Sequence, residues 1–154
     1  MNEFDLYPDD TGGFDVRVDG RFLRDILSEA EEERFPFISL LRRSLSPSVL
    51  EMQLRRFCGD APGEFYPHRV WLYFCPVCFD EGCGGVSVNI QTSGEHVIWS
   101  NFCFDSEPEE GETEQGLLEE DDALLEVGPL IFDKTKYLAA VTSLGNDLLG
   151  RRRI

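Results

Sequence analysis

The fold is decided by Arg69-Val-Trp-Leu-Tyr-Phe-Cys75 and by the two stretches that follow it along the chain. This first stretch is rich in β-branched and aromatic residues, which favour a well-buried strand. Val86-Ser-Val-Asn-Ile90 alternates apolar and polar residues, and a turn at Thr92-Ser-Gly-Glu95 leads into His96-Val-Ile-Trp-Ser-Asn-Phe-Cys-Phe104. The pattern predicts a three-stranded antiparallel meander over residues 69–104, with no helix between residues 86 and 103.

Large aromatic residues recur on these predicted strands. Trp71 and Phe74 lie on the first, and Trp99 and Phe102 lie on the last. Aromatic side chains at strand spacing supply much of the apolar burial that a small sheet needs. We therefore assign these four side chains to the core.

The N-terminal third predicts one strand and two helices. Residues 14–19 alternate apolar and polar side chains, and Asp19-Gly20 signals a turn after them. The first helix follows, with an apolar stripe formed by Leu23, Ile26, Leu27 and Ala30. The second helix has Ser46 as a candidate N-cap, Pro47 at its first position and Gly59 at its end. Its predicted buried face consists of Val49, Leu50, Leu54 and Phe57.

The C-terminal part predicts one further strand and one further helix. Leu130-Ile-Phe132 is a candidate edge strand, and Asp133 can cap a helix that carries Tyr137, Leu138 and Val141 on one face. The sequence as a whole predicts an α+β fold, with an antiparallel meander of at least three strands and flanking helices. We expect a single domain over residues 1–154, with an acidic loop or insertion at residues 105–126.

Composition places the chain among ordinary globular domains. Its 154 residues are 42% hydrophobic, enough to bury a core without disulfides. No stretch reaches the ~20 apolar residues of a membrane-spanning helix, and the acidic N-terminus is unlike a secretory signal. The five cysteines are an odd number without the spacing of a secreted scaffold. These features predict a cytoplasmic protein whose cysteines are thiols or metal ligands.

The formal charge of −16 restricts the partners of the chain. Nucleic acids and anionic membranes bind surfaces with an excess of Lys and Arg, so we expect neither as a partner. The three arginines of the tail at residues 151–154 are too few to form a nucleic-acid-binding arm in so acidic a chain. A basic protein is the natural complement, although acidity can also serve solubility alone.

Most of the uncompensated charge lies in one segment. Residues 105–126 contain eleven Asp and Glu residues and no Lys, Arg or His. Like charges repel, so a solvated loop is one interpretation. The other is that Leu117, Leu118, Leu124 and Leu125 make residues 116–126 a short amphipathic piece that folds against the body or docks on a partner. The predicted partner-binding residues are Glu119, Glu120, Asp121, Asp122, Leu124 and Leu125.

Three cysteines suggest a metal site. Cys75, Cys78 and Cys83 have the spacing of a zinc knuckle in a glycine-rich turn, where thiolates can converge on one ion. Cys103 is the first candidate for the fourth ligand, ahead of His96, His68 and Cys58. The predicted cofactor is one structural zinc ion held by Cys75, Cys78, Cys83 and Cys103. The alternative is that these cysteines are reduced and pack as small hydrophobic residues.

The sequence contains no recognisable catalytic motif. Cys75 and Cys78 could form a redox pair, but such pairs usually lie at a helix N-terminus, whereas this one precedes a turn and a strand. Nucleophilic catalysis would need Cys75 with His68 or Cys103 with His96, and neither pair carries a family signature. A glycine-rich phosphate loop and a His-Glu-x-x-His motif are absent from the sequence. We therefore expect a protein that is not an enzyme.

Three motifs support a resemblance. The cysteine knuckle at residues 72–84, the tryptophan strand Val97-Ile-Trp-Ser-Asn-Phe102 and Phe132-Asp-Lys-Thr-Lys-Tyr137 occur in that order. In this respect the chain resembles an uncharacterised family of small bacterial proteins over residues 69–141. It departs by Phe79, where such knuckles often have glycine, and by the acidic segment. The resemblance implies a shared fold and no established activity.

In size, acidity and lack of a catalytic motif the chain is also similar to bacterial immunity proteins, cytoplasmic inhibitors of toxins delivered between cells. Many such toxins are basic, and complementary charge speeds association with them. The sequence therefore predicts a non-enzymatic acidic binding protein that inhibits a basic toxin. The alternative is a small zinc-binding structural domain with another interaction role.

Overall fold

The computed structural model describes residues 1–30, 37–75, 84–106, 108–119 and 125–150. Over these ranges the chain forms two antiparallel sheets and four helices. In chain order the elements are β1 (Phe4–Pro8), β2 (Gly13–Val18), β3 (Arg21–Phe22), α1 (Leu23–Ala30), β4 (Ile38–Ser39), β5 (Leu41–Arg42), α2 (Pro47–Phe57), β6 (Arg69–Phe74), β7 (Gly85–Ser93), β8 (His96–Asp105), α3 (Glu114–Leu118), β9 (Leu130–Asp133) and α4 (Lys134–Leu149). The predicted α+β class is confirmed.

The larger sheet contains the predicted meander. Its five strands lie in the order β4, β6, β7, β8, β9, and all neighbours are antiparallel. Trp71 pairs with Ser87, which pairs in turn with Cys103. The register of β7 with β8 shifts between Ser87 and Asn89, opposite Asn101, whose φ of 55° is in the left-handed region. The meander over residues 69–104 and the edge strand at Leu130 are therefore confirmed.

The smaller sheet was only partly predicted. Sequence patterning indicated β2 alone, whereas the structure pairs β2 with β1, β3 and β5. The strand β1 lies at the edge, and only Phe4 and Leu6 face the core, so its alternation of apolar and polar residues is too short to mark a strand in a sequence. Strands β3 and β5 have two residues each, too few for any periodicity to show.

The main core lies between the two sheets and two helices. Trp99 is fully buried at its centre, and its ring meets the rings of Phe4, Phe57 and Phe132 at centroid distances of 5.8, 5.7 and 5.5 Å. The four aromatic residues assigned to the core from the sequence are all buried. This cluster takes side chains from both sheets, from α2 and from α4.

The caps of α2 and α4 are formed by the residues that the sequence predicts, whereas the buried face of α2 differs from the prediction. Ser46 accepts a hydrogen bond from the backbone of α2, and Asp133 accepts one from Lys136 at the start of α4. Val49 was predicted to be buried but is 47% exposed, so this assignment is wrong. Gln53 takes part of that buried face, because its amide donates a hydrogen bond to the Trp71 carbonyl and is thereby satisfied inside the protein.

In the described part of the chain, no helix has both the length and the apolar character needed to cross a membrane.

The hydroxyl of Tyr137 joins three elements inside the core. It donates to the carbonyl of Phe57 at 2.7 Å and accepts from the indole Nε1 of Trp99 at 3.3 Å. Tyr137 is on α4, Phe57 ends α2 and Trp99 is on β8, so one buried oxygen holds two helices to the sheet. Both partners would lose a hydrogen bond without it.

We expect Tyr137→Phe to lower the free energy of unfolding by about 1–3 kcal/mol, because it leaves a buried donor and a buried acceptor unsatisfied. Tyr7→Phe is the matched control, since the Tyr7 side chain is 49% exposed, and it should change stability by less than about 0.5 kcal/mol. Urea denaturation of the three proteins measures both values. Equal midpoints for the two variants would show that the Tyr137 hydroxyl does not hold the helices.

A buried carboxyl group links the smaller sheet to the larger one. Asp15 is on β2 and is 2% exposed; it accepts hydrogen bonds from the Tyr73 hydroxyl on β6 and from the backbone of Arg24 and Val16. Burial raises the pKa of Asp15 to about 6, although these hydrogen bonds oppose the shift. Because this pKa exceeds its ordinary value of 3.8, the folded chain binds the proton more tightly than the unfolded chain does.

Asp15 should therefore make stability depend on pH. Between about pH 4 and pH 6 the folded state holds more protons, so the free energy of unfolding falls as the pH rises, by up to about 3 kcal/mol from this group. Asp15→Asn removes the titration, and the difference between the two proteins isolates Asp15 from the other carboxylates. Chemical denaturation at several pH values measures it. Parallel stability curves for the two proteins would contradict the assignment.

Candidate functional site: the sheet face beneath α3

The second face of the larger sheet is covered by the helix α3 and by the loop that contains Tyr66. The fully buried Cys103 on β8 packs with Tyr66 and Leu117, and these three form a small apolar cluster apart from the main core. The helix begins after Thr113, whose hydroxyl accepts a hydrogen bond from the Gly116 backbone at 3.1 Å. Leu117 therefore attaches part of the acidic segment to the sheet.

Around this anchor four carboxylate side chains are exposed, whereas Glu114 is half-buried and its Oε1 is out of contact with solvent. Glu109, Glu110, Glu112 and Glu119 are all exposed, and the backbone of residues 109–112 closes a turn through a bond from Glu112 to the Glu109 carbonyl. Two interpretations of the acidic segment were open, a solvated loop and a piece that folds against the body. Residues 113–118 fold against the body. The chain thus presents negative charge on a backbone that is hydrogen-bonded and packed.

The structure places only two of the six predicted partner-binding residues. Glu119 is exposed at the end of α3, and Leu125 is 3% exposed, with its backbone donating to the Phe102 carbonyl at 2.7 Å. Leu125 belongs to the main core. Glu120, Asp121, Asp122 and Leu124 lie outside the described residues. Their predicted role stays a prediction.

A buried polar row crosses the same sheet face, and the sequence did not indicate it. Arg69 is 1% exposed; its Nε donates to the Ser87 hydroxyl at 2.9 Å, and its Nη2 donates to the carbonyls of Ser87 and Asn101. The Ser87 hydroxyl donates onward to Asp105 at 2.8 Å. One hydroxyl thus lies between a buried cation and a buried anion. The signal available in the sequence was a charged residue opening an otherwise apolar strand.

A cleft opens beside Asp105, between the end of β8 and α3. It has a volume of about 370 Å³. Its walls combine aromatic rings, carboxylates, a hydroxyl and two glycines, and they are formed by Tyr66, Phe104, Asp105, Ser106, Gly111, Glu112, Thr113, Gly116 and Leu117. Such a mixture of apolar walls and a few polar groups is typical of small binding sites.

The predicted zinc ligands are only partly placed. Cys75 is half-buried just after β6, and Cys103 is buried against Tyr66 and Leu117. Cys78 and Cys83 lie outside the described residues. Among the residues that are described, no three His, Cys, Asp or Glu side chains lie close enough together to hold a metal ion. The zinc site therefore stays a prediction.

The remaining candidate ligands and bases lie elsewhere. His68 and His96 are both exposed at strand ends. The strand β8 separates His96 from Cys103 by seven residues, which is about 23 Å of extended chain. Strand β6 separates His68 from Cys75 by a similar length. Neither pair can share a hydrogen bond, so neither can act as nucleophile and base. Cys58 is half-buried, and burial followed by the charge of Asp60 raises the pKa of its thiol.

Comparison of the chain with models of known protein families, with curated proteins and with solved structures finds no match. The function is therefore argued from the charge and geometry of this face.

The packing of α3 can be tested through Leu117. We expect Leu117→Ala to speed amide hydrogen exchange of residues 117–119 at least tenfold, because the backbone bonds of α3 depend on this contact to the sheet. Leu118→Ala is the control, since Leu118 is only partly buried and should have a smaller effect. Exchange followed by NMR measures both. Unchanged protection in Leu117→Ala would mean that α3 does not need its anchor.

Proposed function

We propose that this chain is a non-enzymatic binding protein whose acidic face binds a basic protein, in the manner of a cytoplasmic inhibitor of a basic toxin. The single observation that carries the proposal is the attachment of α3 to the sheet, which leaves Glu109, Glu110, Glu112 and Glu119 exposed around it. Nucleic acids and anionic membranes carry the same sign of charge and are the wrong partners for such a face.

Attachment to the sheet favours binding in a way that an unstructured acidic tail does not. A tail loses conformational freedom when it binds, and that loss weakens the complex. Here the turn at residues 109–112 and the helix α3 are already hydrogen-bonded in the unbound chain. The negative potential of the face steers a basic partner and raises the association rate.

Inhibition by a bound acidic protein needs no chemistry from the inhibitor. The two Cys/His pairs that could have served as nucleophile and base are separated along their strands, as described above. A protein that acts by covering its partner needs only a complementary surface and a stable fold to hold it. The immunity-protein likeness in size and charge points in the same direction.

The charge of the face should control the association rate. We expect four Gln substitutions on the face to lower the association rate constant by about tenfold at low salt and to weaken its salt dependence around ~0.15 M. The substituted residues are Glu109, Glu110, Glu112 and Glu119. Surface plasmon resonance against the product of the neighbouring gene measures the rate constants, and the proposal predicts that this product is basic.

A control variant with the same net charge distinguishes the effect of the charge on this face from the effect of the net charge of the whole protein. It carries four neutralising substitutions at exposed carboxylates on other parts of the surface, namely Glu3, Asp25, Glu95 and Asp147. We expect this control to keep most of the association rate. Equal losses in the two variants would show that total charge, and not the face around α3, attracts the partner.

A further inference from the structure

The cleft beside α3 has the chemistry of a site for one particular side chain. Tyr66 and Phe104 supply aromatic rings, Asp105 lies at the end of the strand, and the exposed Glu112 also lines the cleft. Aromatic faces attract cations, and carboxylates pair with them. A cationic ligand can contact the aromatic rings and pair with the carboxylates at the same time.

The shape and the walls favour guanidinium over ammonium. A guanidinium group is planar, stacks on aromatic rings, pairs with carboxylates through two donors and is more weakly hydrated than an ammonium group. The volume of about 370 Å³ is within the range of small-ligand sites, roughly 300–1,000 Å³. Gly111 and Gly116 line the cleft and add no side chains to it.

The charge balance leaves the cleft negative. Arg69 compensates Asp105 through the Ser87 hydroxyl, so this pair contributes little net charge. Glu112 has no ion pair within the described parts of the chain. A cation that enters the cleft would therefore find an uncompensated carboxylate beside two aromatic rings.

We propose that this cleft binds the guanidinium group of an arginine side chain that the basic partner presents. The inference rests on the proposed function for the identity of the partner, but the site itself can be examined without that partner. Steering by the whole acidic face brings the partner close, and insertion of one arginine then fixes its position and slows dissociation.

The direct test uses N-acetyl-arginine amide as the ligand and N-acetyl-citrulline amide as its neutral control of nearly the same shape. Either compound is titrated into isotope-labelled protein, and the amide signals of Ser106, Gly111 and Gly116 are followed by NMR. We expect saturable shifts at these three amides with the arginine compound alone. Equal shifts with the citrulline compound, or shifts spread evenly over all exposed carboxylates, would overturn the site.

Three variants locate the binding within the cleft. Glu112→Gln removes a carboxylate that lines it, and we expect the Kd of the arginine compound to rise about fivefold. Glu95→Gln removes one exposed charge away from the acidic face and should leave the Kd within twofold. Gly116→Gln changes no charge; its Cβ would come no closer than 3.4 Å to the Thr113 hydroxyl, so the backbone accepts it while the rest of the side chain fills the cleft. This variant should abolish the shifts.

Failure of the arginine site and failure of the proposed function give different experimental results. If the basic partner binds with the expected salt dependence while the Glu95 and Glu112 variants lose the arginine compound equally, the acidic face acts only by long-range attraction and the arginine site is wrong. If the arginine compound binds in the cleft and no basic partner responds to neutralisation of the face, the site stands and the proposed function fails.

Discussion

Strand β6 is buried along its whole length, and this constraint shapes the rest of the molecule. A strand that is apolar on both faces needs a cover on each side of its sheet. On one side the smaller sheet, α2 and α4 close over Tyr73, Trp99 and Phe102. On the other side, Trp71 and Phe74 of β6 pack with Ile38, Leu40 and Phe65. Farther along the same face, Tyr66 and the short helix α3 cover Cys103 on β8.

The need to cover the second face of the larger sheet explains how part of an acidic segment becomes folded. Carboxylates repel one another, so a segment rich in them folds only where an apolar contact offsets the repulsion. Leu117 makes that contact by packing on Cys103 and Tyr66. Glu109, Glu110, Glu112 and Glu119 are left exposed around this contact, whereas Glu114 is half-buried, and the proposed binding face follows from the need to cover the sheet.

Buried polar groups hold the two sheets against each other and hold the strands of the larger sheet in register. Asp15 receives the Tyr73 hydroxyl across the two sheets, and Arg69 reaches Asp105 through Ser87 across three strands. Apolar packing alone tolerates small shifts of one layer on the other, whereas a buried hydrogen bond is lost when its partners move apart. The Arg69 row also positions Asp105 at the cleft, so the same contacts that order the sheet shape the proposed arginine site.

The meander, the caps of α2 and α4 and the aromatic core were determined by the sequence alone, because periodicity of two, turn residues and cap residues act over a few neighbouring positions. Sequence also located the charge at residues 105–126. Strand β1, the exposure of Val49, the buried row from Arg69 to Asp105 and the cleft were decided by the tertiary structure. The buried row depends on residues far apart in the chain, since Arg69 lies 36 positions from Asp105, and only the folded backbone brings both within hydrogen-bond distance of Ser87.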